Sequence, residues 1–271
     1  MKSKNNYSIQ HIKYLKVQKI KYITIISLRF LLLTFFLLLW ELLTMFDILD
    51  SFIFSSPSRV FIAIGNLYNE GTLFYHIGVT LSETVTGFIL STLIGTLIAI
   101  ALWWFEFTRK LLEPYIVIIN SLPKIALGPI IIIWFGIGFT SIVVMAILIS
   151  VVITIINMQT AFLNVDADKV LLLKSMGATK FQILYKLMLP ATFPDFISVL
   201  KINIGLAWVG TVMGEYLSSS AGLGYLIVFG GQVFKLDLVM ASTVILCTLS
   251  ALMYGMIVLI EKLALKKWKK G

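Results

Sequence analysis

Long apolar runs, each near 20 residues, alternate with short polar stretches along almost the whole chain. A run of this length crosses a bilayer core of about 30 Å. In lipid it must be helical, because every backbone polar group needs a partner within its own segment. The pattern therefore predicts an all-α, polytopic membrane protein with six transmembrane helices. Their approximate ranges are 23–45, 76–104, 112–135, 140–160, 192–217 and 238–260.

Two features modify this simple picture. The third run contains Pro123, Lys124 and Pro129, which predict a kinked or split span. The six spans form one membrane domain over residues 23–262, preceded by a basic arm (1–22) and followed by a basic tail (263–271). In the loop after the first span, Ser56 and Ser58 are both candidates to cap a short amphipathic helix.

The charges report on orientation. The chain is 59% hydrophobic and only 13% charged, whereas soluble domains are about 25% charged. Its net charge of +9 comes from Lys and Arg at the segment ends, as the positive-inside rule produces, and not from a nucleic-acid-binding surface. Eighteen of these residues lie on one side, in the arm together with Arg29, in the 105–111 and 161–190 loops, and in the tail together with Lys262, against Arg59 and Lys235 in the other loops. Both termini and the 161–190 loop are therefore predicted to be cytoplasmic.

No residue pattern indicates catalysis. The chain lacks a Gly-x-x-x-x-Gly-Lys-Ser/Thr phosphate loop, so it is not expected to hydrolyse ATP. Its histidines, His11 and His76, are far apart in sequence, and its single cysteine, Cys247, excludes an intrachain disulfide and a cysteine-based metal site. We expect a non-enzyme with no cofactor and no metal; an intramembrane enzyme would need a nucleophile or metal cluster that the sequence does not offer.

A basic, polar island at residues 169–190 interrupts the apolar pattern between the fourth and fifth spans. Its local signals predict a helix–turn–helix that presents a short knob to the cytoplasm. Asp166 or Asp168 can cap the first helix, Gly177 suits its left-handed end, and Thr179 with Gln182 forms a capping box for the second. The alternative is an amphipathic loop packed on the bilayer surface.

Small residues recur at helical spacing in two spans, where they allow close approach of helices in lipid. In the second span they are Gly87, Ser91, Gly95 and Ala99. In the fifth they are Asn203, Ala207, Gly210 and Gly214, and the opposite face carries Lys201, Gly205, Trp208, Val212 and Glu215. Two interpretations stay open for each small face: helix packing within the chain, or a dimer seam or pathway lining.

The island also carries a family resemblance. The order Gly177, nine residues, then Leu187-x-Leu189-Pro190 resembles the loop of binding-protein-dependent ABC importer permeases, which runs Glu-Ala-Ala, three residues, Gly, nine residues, Ile-x-Leu-Pro. The resemblance covers nearly the whole chain and is closest to the branch of aliphatic-sulfonate, taurine and nitrate importers. The matching residues are Pro57-Ser58; His76 with Gly87-Phe88; Pro123-Lys124-Ile125-Ala126 with Pro129; Trp134-Phe135-Gly136-Ile137-Gly138; Gly177-Ala178; Leu189-Pro190-Ala191; the stretch from Ala207-Trp208 to Glu215; and Gly222-Leu223-Gly224-Tyr225.

Two departures from the family pattern bear on function. Leu171, Leu172 and Leu173 replace the acidic-Ala-Ala start of the loop, so the usual acidic contact to the ATPase is missing. Lys174, Lys180 and Asp168 are candidates to replace it. Glu83 stands where the family often has a basic residue, which weakens the case for a sulfonate substrate.

The resemblance implies a homodimer of permeases that works with two cytoplasmic ATPases and an extracytoplasmic solute-binding protein in the plasma membrane of a bacterium. It also implies that the loop couples ATP hydrolysis in the partner, where ATP and Mg are bound, to movement of this chain. The implied coupling residues are Val170, Leu171, Lys174, Met176, Gly177, Ala178, Thr179, Leu189 and Pro190.

The face of Lys201, Trp208, Val212 and Glu215 is predicted to line the pathway between two copies. Glu215 is assigned to a gate or to a polar contact with neighbouring backbone, because a carboxylate would repel an anionic substrate. His76 is expected to hydrogen-bond near the interface. Sulfonates, taurine, nitrate and thiamine-pathway pyrimidines are all candidate substrates. The alternative function is an ion-coupled secondary transporter acting alone, which would need an ionisable residue deep in the membrane, whereas Glu83, Glu215 and Lys201 fall toward span ends.

Overall fold

The computed structural model describes residues 9–268, so the beginning of the predicted basic arm and the last three residues of the predicted tail lie outside it. Every regular element in the described part is helical. The helices are α1 (Ile9–Met45), α2 (Ser51–Phe54), α3 (Pro57–Asn69), α4 (Leu73–Trp104), α5 (Glu106–Ser121), α6 (Gly128–Phe135), α7 (Phe139–Leu163), α8 (Ala167–Ser175), α9 (Lys180–Ile183), α10 (Leu189–Ala191), α11 (Phe193–Ser218), α12 (Leu223–Gln232) and α13 (Leu236–Trp268).

Among the described residues, five helices are long and apolar enough to cross a membrane. They are Lys16–Met45, Leu73–Trp104, Phe139–Leu163, Phe193–Ser218 and Leu236–Ala264. A sixth candidate is a pair of helices, Glu106–Ser121 and Lys124–Phe135, which meet at an angle of 85°. The all-α class is confirmed, and the predicted interruption of the third run takes the form of this bend.

The bend follows from its prolines. Leu122 is extended, with φ −67° and ψ 140°, as the residue before a proline prefers, and α5 ends there. A 3₁₀ turn from Lys124 to Leu127 follows Pro123. The chain then re-enters a helix at Gly128, with Pro129 in the first turn, where its missing N–H costs nothing.

The chain divides into two compact units, Met1–Ala63 and Ile64–Gly271. In the first unit, α1 takes in part of the predicted basic arm. The Glu41 carboxylate accepts hydrogen bonds from the Ser58 N–H at 3.0 Å and the Ser58 hydroxyl at 2.8 Å. Ser56 Oγ accepts from the Arg59 N–H at 3.4 Å, so Ser56 is the residue that caps α3.

In the second unit, α7 lies between α4 and α11, and both contacts depend on the small residues noted in the sequence. A Cβ added at Gly87 would lie 2.6 Å from Ala146 Cβ, and one at Gly210 would lie 2.4 Å from Ala146 Cα. Gly95 and Gly214 meet Thr154 and Ile142 of α7 in the same way, at 2.6 and 2.9 Å. Ser91 and Ala99 are fully buried. Both small faces therefore pack within this chain, the first of the two alternatives.

A buried amide ties these three helices together. Asn203 of α11 is fully buried, and its Nδ2 donates to Thr92 Oγ1 of α4 at 3.0 Å and to Thr154 Oγ1 of α7 at 2.7 Å. In an apolar bundle such a contact fixes the register of the helices, because sliding any one of them would leave the buried Asn203 amide without a hydrogen-bond partner.

Candidate functional site

The helix–turn–helix predicted for the island is present, and we call residues 167–188 the loop unit. Asp166 caps α8 by accepting the Asp168 N–H at 3.0 Å. Gly177 ends α8 with φ +79°; its own N–H donates to the Lys174 carbonyl, and the next N–H, that of Ala178, donates to Leu173. This pair of bonds is a Schellman motif, which favours glycine because other residues are strained at positive φ.

The second helix of the loop unit begins as predicted. Thr179 Oγ1 accepts the Gln182 N–H at 3.3 Å, and Gln182 Oε1 accepts the Thr179 N–H at 2.8 Å. Both bonds of the capping box are therefore made. Beyond α9 a π-helical turn spans Leu184–Met188, and Pro190 stands at the start of α10, where the chain turns into α11.

One face of the loop unit is anchored on the bundle. Ile183, Leu184 and Met188 are buried in a cluster with residues of α4, α7 and α11, and Val170, Leu173 and Ala178 pack against the same cluster. The other face carries apolar side chains that the described chain leaves uncovered. Leu171 is 63% exposed and Met176 74% exposed, and Leu172, Phe181 and Tyr185 are similarly open. The loop unit is thus a protruding knob: one face packs against the bundle, and the exposed face, which we call the tip, carries the apolar side chains Leu171, Leu172 and Met176.

Lys180 connects the loop unit to the end of α4. Its Nζ donates a short hydrogen bond to the carbonyl of Trp104, one of the last carbonyls of that helix. The ammonium also lies 5.8 Å from the ring centroid of Trp103 and 5.5 Å from that of Trp104. A cation favours a helix C-terminus, so the charge of Lys180 complements the end of α4.

At the opposite end of α4, a buried polar cluster holds the start of α12. We call it the Glu215 cluster, and it consists of His76, Thr80, Glu83, Glu215 and the backbone of Gly222 to Tyr225. Glu215 Oε2 accepts the N–H groups of Gly224 and Tyr225, the second at 3.3 Å. Thr80 Oγ1 accepts the Leu223 N–H at 2.8 Å, and His76 Nδ1 accepts the Gly222 N–H at 3.0 Å.

Three side chains from two helices thereby satisfy four N–H groups at the entrance of α12, which would otherwise have no partner inside an apolar bundle. Glu83 and Glu215 are 2% and 1% exposed, and one oxygen of each, Glu83 Oε2 and Glu215 Oε1, is buried without a hydrogen-bond partner among the described residues. Glycine is required where α12 meets Glu215, since a Cβ at Gly222 or Gly224 would come within 2.4 and 2.6 Å of the carboxylate oxygens. The cluster also explains why His76 and the Gly222–Tyr225 stretch stood out in the sequence.

The predicted pathway face is divided by the structure. Lys201, Trp208 and Val212 line an open groove between α11 and α13. Glu215 does not join them, because its carboxylate turns toward α12 and is buried by the hydrogen bonds that it accepts. On an isolated helix, a spacing of seven residues places Glu215 on the same face as Trp208. In the folded chain, the N–H groups at the start of α12 determine where the Glu215 side chain lies. Two roles were predicted for Glu215, a gate or a polar contact with neighbouring backbone. The structure shows the backbone contact, with Gly224 and Tyr225.

Sequence inspection missed two contacts. Lys201 Nζ lies 2.6 Å from Glu261 Oε1 of α13, with both side chains about one quarter exposed, at 24% and 22%. Thr80, which has no distinctive sequence motif around it, accepts one of the four N–H groups of α12. Spacing can suggest a shared helix face, but it carries no signal for a partner 60 or more residues away. Within the described residues, no three His, Cys, Asp or Glu side chains converge as a metal centre would require.

These features define a multi-pass helical membrane protein with an anchored knob at one end of its bundle and a buried polar cluster at the other. Comparison with known proteins identifies the class. Residues 91–266 match the family described as "Binding-protein-dependent transport system inner membrane component". The chain belongs to this family and is the permease subunit of an ABC importer, so the resemblance noted in the sequence is confirmed.

Three similar proteins illustrate the match. The formylaminopyrimidine transport permease protein ThiX of Halalkalibacterium halodurans is 32% identical, over 70% of this chain and 77% of its own length. The aliphatic-sulfonate transport permease protein SsuC of Bacillus subtilis, itself described as putative, is 25% identical, over 86% of this chain and 84% of its own length. A chain of the MetNI methionine ABC transporter, solved in inward-facing conformations, superimposes with a TM-score of 0.63 at 20% identity, over 70% of this chain and 95% of that chain, which supports the fold.

Proposed function

We propose that the loop unit is the coupling element of this permease and that it docks on a cytoplasmic ABC ATPase. The observation that carries the proposal is the exposed apolar tip, Leu171, Leu172 and Met176, on a helix whose opposite face is fixed to the bundle. Exposed apolar side chains outside the spans are costly in water and indicate a protein partner. The tip is apolar where the family pattern noted in the sequence begins with an acidic residue, so the proposed docking rests on shape and apolar burial.

In the proposed mechanism, α4 moves as a rigid helix that connects the loop unit to the Glu215 cluster. An ATPase that closes would displace the tip of the loop unit, and the Lys180 bond to the end of α4 transmits the displacement to that helix. With 32 residues, α4 is about 48 Å long at 1.5 Å per residue. Its far end carries His76, Thr80 and Glu83, which contact the start of α12 or Glu215. A shift of α4 would therefore strain or release the Glu215 cluster, which we propose acts as the gate.

The chain acts with a second copy of itself and an extracytoplasmic solute-binding protein, both expected from its family, and hydrolyses no ATP itself. Its orientation, with both termini and the loop unit in the cytoplasm of a bacterial cell, follows from the charge count. The substrate is a small anion, such as a sulfonate, taurine or nitrate, or a thiamine-pathway pyrimidine; relatives are named for aliphatic sulfonates, taurine and formylaminopyrimidine.

The proposal is tested by replacing one residue of the tip. In Leu172→Glu the side chain is 60% exposed and makes no core contact, so the protein should insert and fold normally. Purification of the tagged protein from its own cells should then recover little ABC ATPase, whereas the parent chain should bring it down in stoichiometric amounts. The readouts are ATPase activity and the subunit composition of the purified complex.

The matched control is Ile137→Glu, a change of the same kind at a side chain 79% exposed, in the turn at the other end of α7. It should leave ATPase recovery unchanged. If the parent chain drives uptake with no ATPase attached, the alternative of an ion-coupled transporter acting alone is correct. If both variants recover the ATPase equally well, docking does not occur on this tip.

A further inference from the structure

Lys124 is the one charged residue in a long apolar part of the chain. Between Glu113 and Asp166 the sequence contains no other Lys, Arg, Asp, Glu or His. An ionisable residue within a membrane segment is rare and faces a cavity or a pathway, because its charge is costly in lipid. The Lys124 ammonium donates to the Asn120 carbonyl at 3.1 Å and forms no ion pair with any described residue. A positive charge is therefore held in place without an anion to neutralise it.

The break between α5 and α6 places this charge inside the bilayer. The start of α5 and the end of α7 lie at the same level, since Glu106 and Leu163 line one cavity. From that level α5 rises by about 24 Å at most and α7 spans about 38 Å, at 1.5 Å per residue over 16 and 25 residues. The bend of 85° that follows α5 therefore lies well short of the other side.

The break itself is unsuited to lipid. Leu122 and Ile125, on either side of Pro123 and Lys124, are 49% and 46% exposed, so the described chain does not cover them. Backbone outside a regular helix is tolerated at this depth only where protein covers it or water reaches it. A dry seam with another protein copy would bury the Lys124 ammonium without a counter-charge, which is strongly unfavourable. Water is the neighbour that satisfies both the backbone and the charge.

The polar side of α5 leads to the same break. At the lower end of α5, Glu113 lines a small cavity together with Gln159 and Thr160 of α7. A helix that carries one polar and one apolar side places the polar side toward water. The polar residues of α5 share one side at helical spacing, and they are Glu106, Arg109, Lys110, Glu113, Asn120 and Ser121.

From these observations we infer that the break between α5 and α6 lines the water-filled substrate pathway, and that Lys124 attracts the negative charge of a passing solute there. This inference rests on the proposed function, because it requires a transport pathway. It makes Lys124 a residue that determines specificity: a solute with a sulfonate, carboxylate or nitrate group is favoured over an uncharged ring. The attraction should be modest, since a pathway site must also release its cargo.

The test places a thiol beside Lys124. Asn120→Cys is made in the full-length chain with Cys247→Ser, in cell membranes broken by sonication so that reagents reach both faces. Its rates of reaction with the anionic sulfonatoethyl and the cationic trimethylammonioethyl methanethiosulfonates are compared. At about 6 Å in water, one unit charge changes the local concentration of each reagent about threefold, in opposite directions. Adding Lys124→Gln should therefore lower the ratio of the anionic to the cationic rate about tenfold.

Three further variants make the test specific. Lys124→Arg keeps the charge, so the ratio should stay within about twofold of the parent value. Ile118→Cys, on the opposite side of α5 and 59% exposed in the described chain, is the matched control. Its thiol faces lipid or protein, where the thiolate forms poorly, so both reagents should react about 100-fold more slowly. Ser121→Cys is a nearly isosteric change on the polar side, and it repeats the measurement if the Asn120 variant does not insert.

A second arm separates a pathway from a static crevice. In the complex purified with its ATPase, trapping with ATP and vanadate should change the rate at position 120 severalfold, because a transport pathway opens to one side at a time. An unchanged rate with the ATPase attached would reject the pathway and leave the proposed docking intact. If the parent chain recovers no ATPase, the proposed function fails, and the assignment of the break to its pathway fails with it.

The first arm uses no ATP, so its results stand apart from the docking test. No reaction at position 120 or 121 would show that the break is dry. Equal rates in Ile118→Cys would show that the polar side of α5 is no wetter than the apolar side. A ratio that Lys124→Gln leaves unchanged would reject the role of the charge.

Discussion

The Glu215 cluster and the loop unit lie at opposite ends of α4, and they use polar and apolar residues in opposite ways. The cluster buries carboxyl, hydroxyl and imidazole groups and gives each backbone N–H at the start of α12 an acceptor. The loop unit exposes Leu171 and Met176 and places Gly177 at a positive φ where a Cβ would touch nothing. The cluster thus places polar groups inside an apolar bundle, whereas the loop unit leaves apolar side chains exposed.

The difference predicts which property of the protein a substitution changes most in each region. Removing an acceptor from the Glu215 cluster leaves a buried N–H group unpaired, so changes in the cluster should appear as lost stability. An exposed apolar tip contributes little to the stability of this chain, so changes in the loop unit should appear as lost coupling in a protein that remains folded. The predictions below run from the largest expected loss of stability to the smallest.

Glu215→Ala should be the most damaging of these changes. It removes the acceptor of two buried N–H groups, those of Gly224 and Tyr225. At about 1–3 kcal/mol for each of the two buried donors left unpaired, the free energy of unfolding should fall by about 2–6 kcal/mol. Denaturation with sodium dodecyl sulfate in mixed micelles measures the change.

Glu215→Gln is the matched control, because both N–H groups bond to a single oxygen, Oε2, which an amide oxygen can replace. Its loss of stability should be less than half that of the alanine variant, while uptake or basal ATPase activity of the assembled transporter should change. Equal losses in the two variants would show that the negative charge, and not the hydrogen bonds, stabilises the cluster.

Thr80→Val should have an intermediate effect. Valine has nearly the same shape, but it leaves the buried Leu223 N–H without an acceptor, at a cost of about 1–3 kcal/mol. Thr86→Val, two turns along α4, removes a hydroxyl that donates to a carbonyl within its own helix, at 2.6 Å from Ser82 O. That control should cost less than about 0.5 kcal/mol. The same denaturation assay compares the two, and indistinguishable losses would remove Thr80 from the cluster.

Gly177→Val should cost least in stability and most in function. The valine would be strained by about 1–2 kcal/mol at φ +79°, but its side chain would meet no neighbour. We expect unchanged unfolding of the bundle, a distorted end of α8, and ATP hydrolysis that no longer drives uptake. Gly177→Asn should retain coupling because asparagine tolerates this conformation. If the valine variant transports normally, Gly177 does not set the geometry of a coupling helix.

Local sequence signals predicted the loop unit well. The Asp166 cap, the left-handed Gly177 and the capping box of Thr179 and Gln182 all involve residues within three positions of each other, so their hydrogen bonds are encoded by spacing. The small faces of the second and fifth spans were equally visible. Their partner was not: the glycines meet Ala146, Thr154 and Ile142, on a helix that showed no such pattern.

Glu215 shows where spacing fails. Helical periodicity put Glu215 on one face with Lys201 and Trp208. In the structure its carboxylate points away from the groove, because it accepts hydrogen bonds from N–H groups at the start of α12. Similarly, Lys201 was placed toward the end of its span on the predicted pathway face, and spacing gave no sign of its pairing with Glu261 of α13. A buried charge takes the partner that folding brings within reach, and sequence distance does not limit that choice.

The sequence by itself determined the class of the protein, the approximate spans, the orientation expected from its charges and the local geometry of the loop unit. Each of these depends on segment length, composition or contacts within a turn or two. Only the tertiary structure decided that α7 lies between α4 and α11, that Glu215 holds α12, and that Lys201 pairs with Glu261. Those outcomes depend on which distant segments meet, because a buried polar group can pair only with a partner that the fold brings within reach.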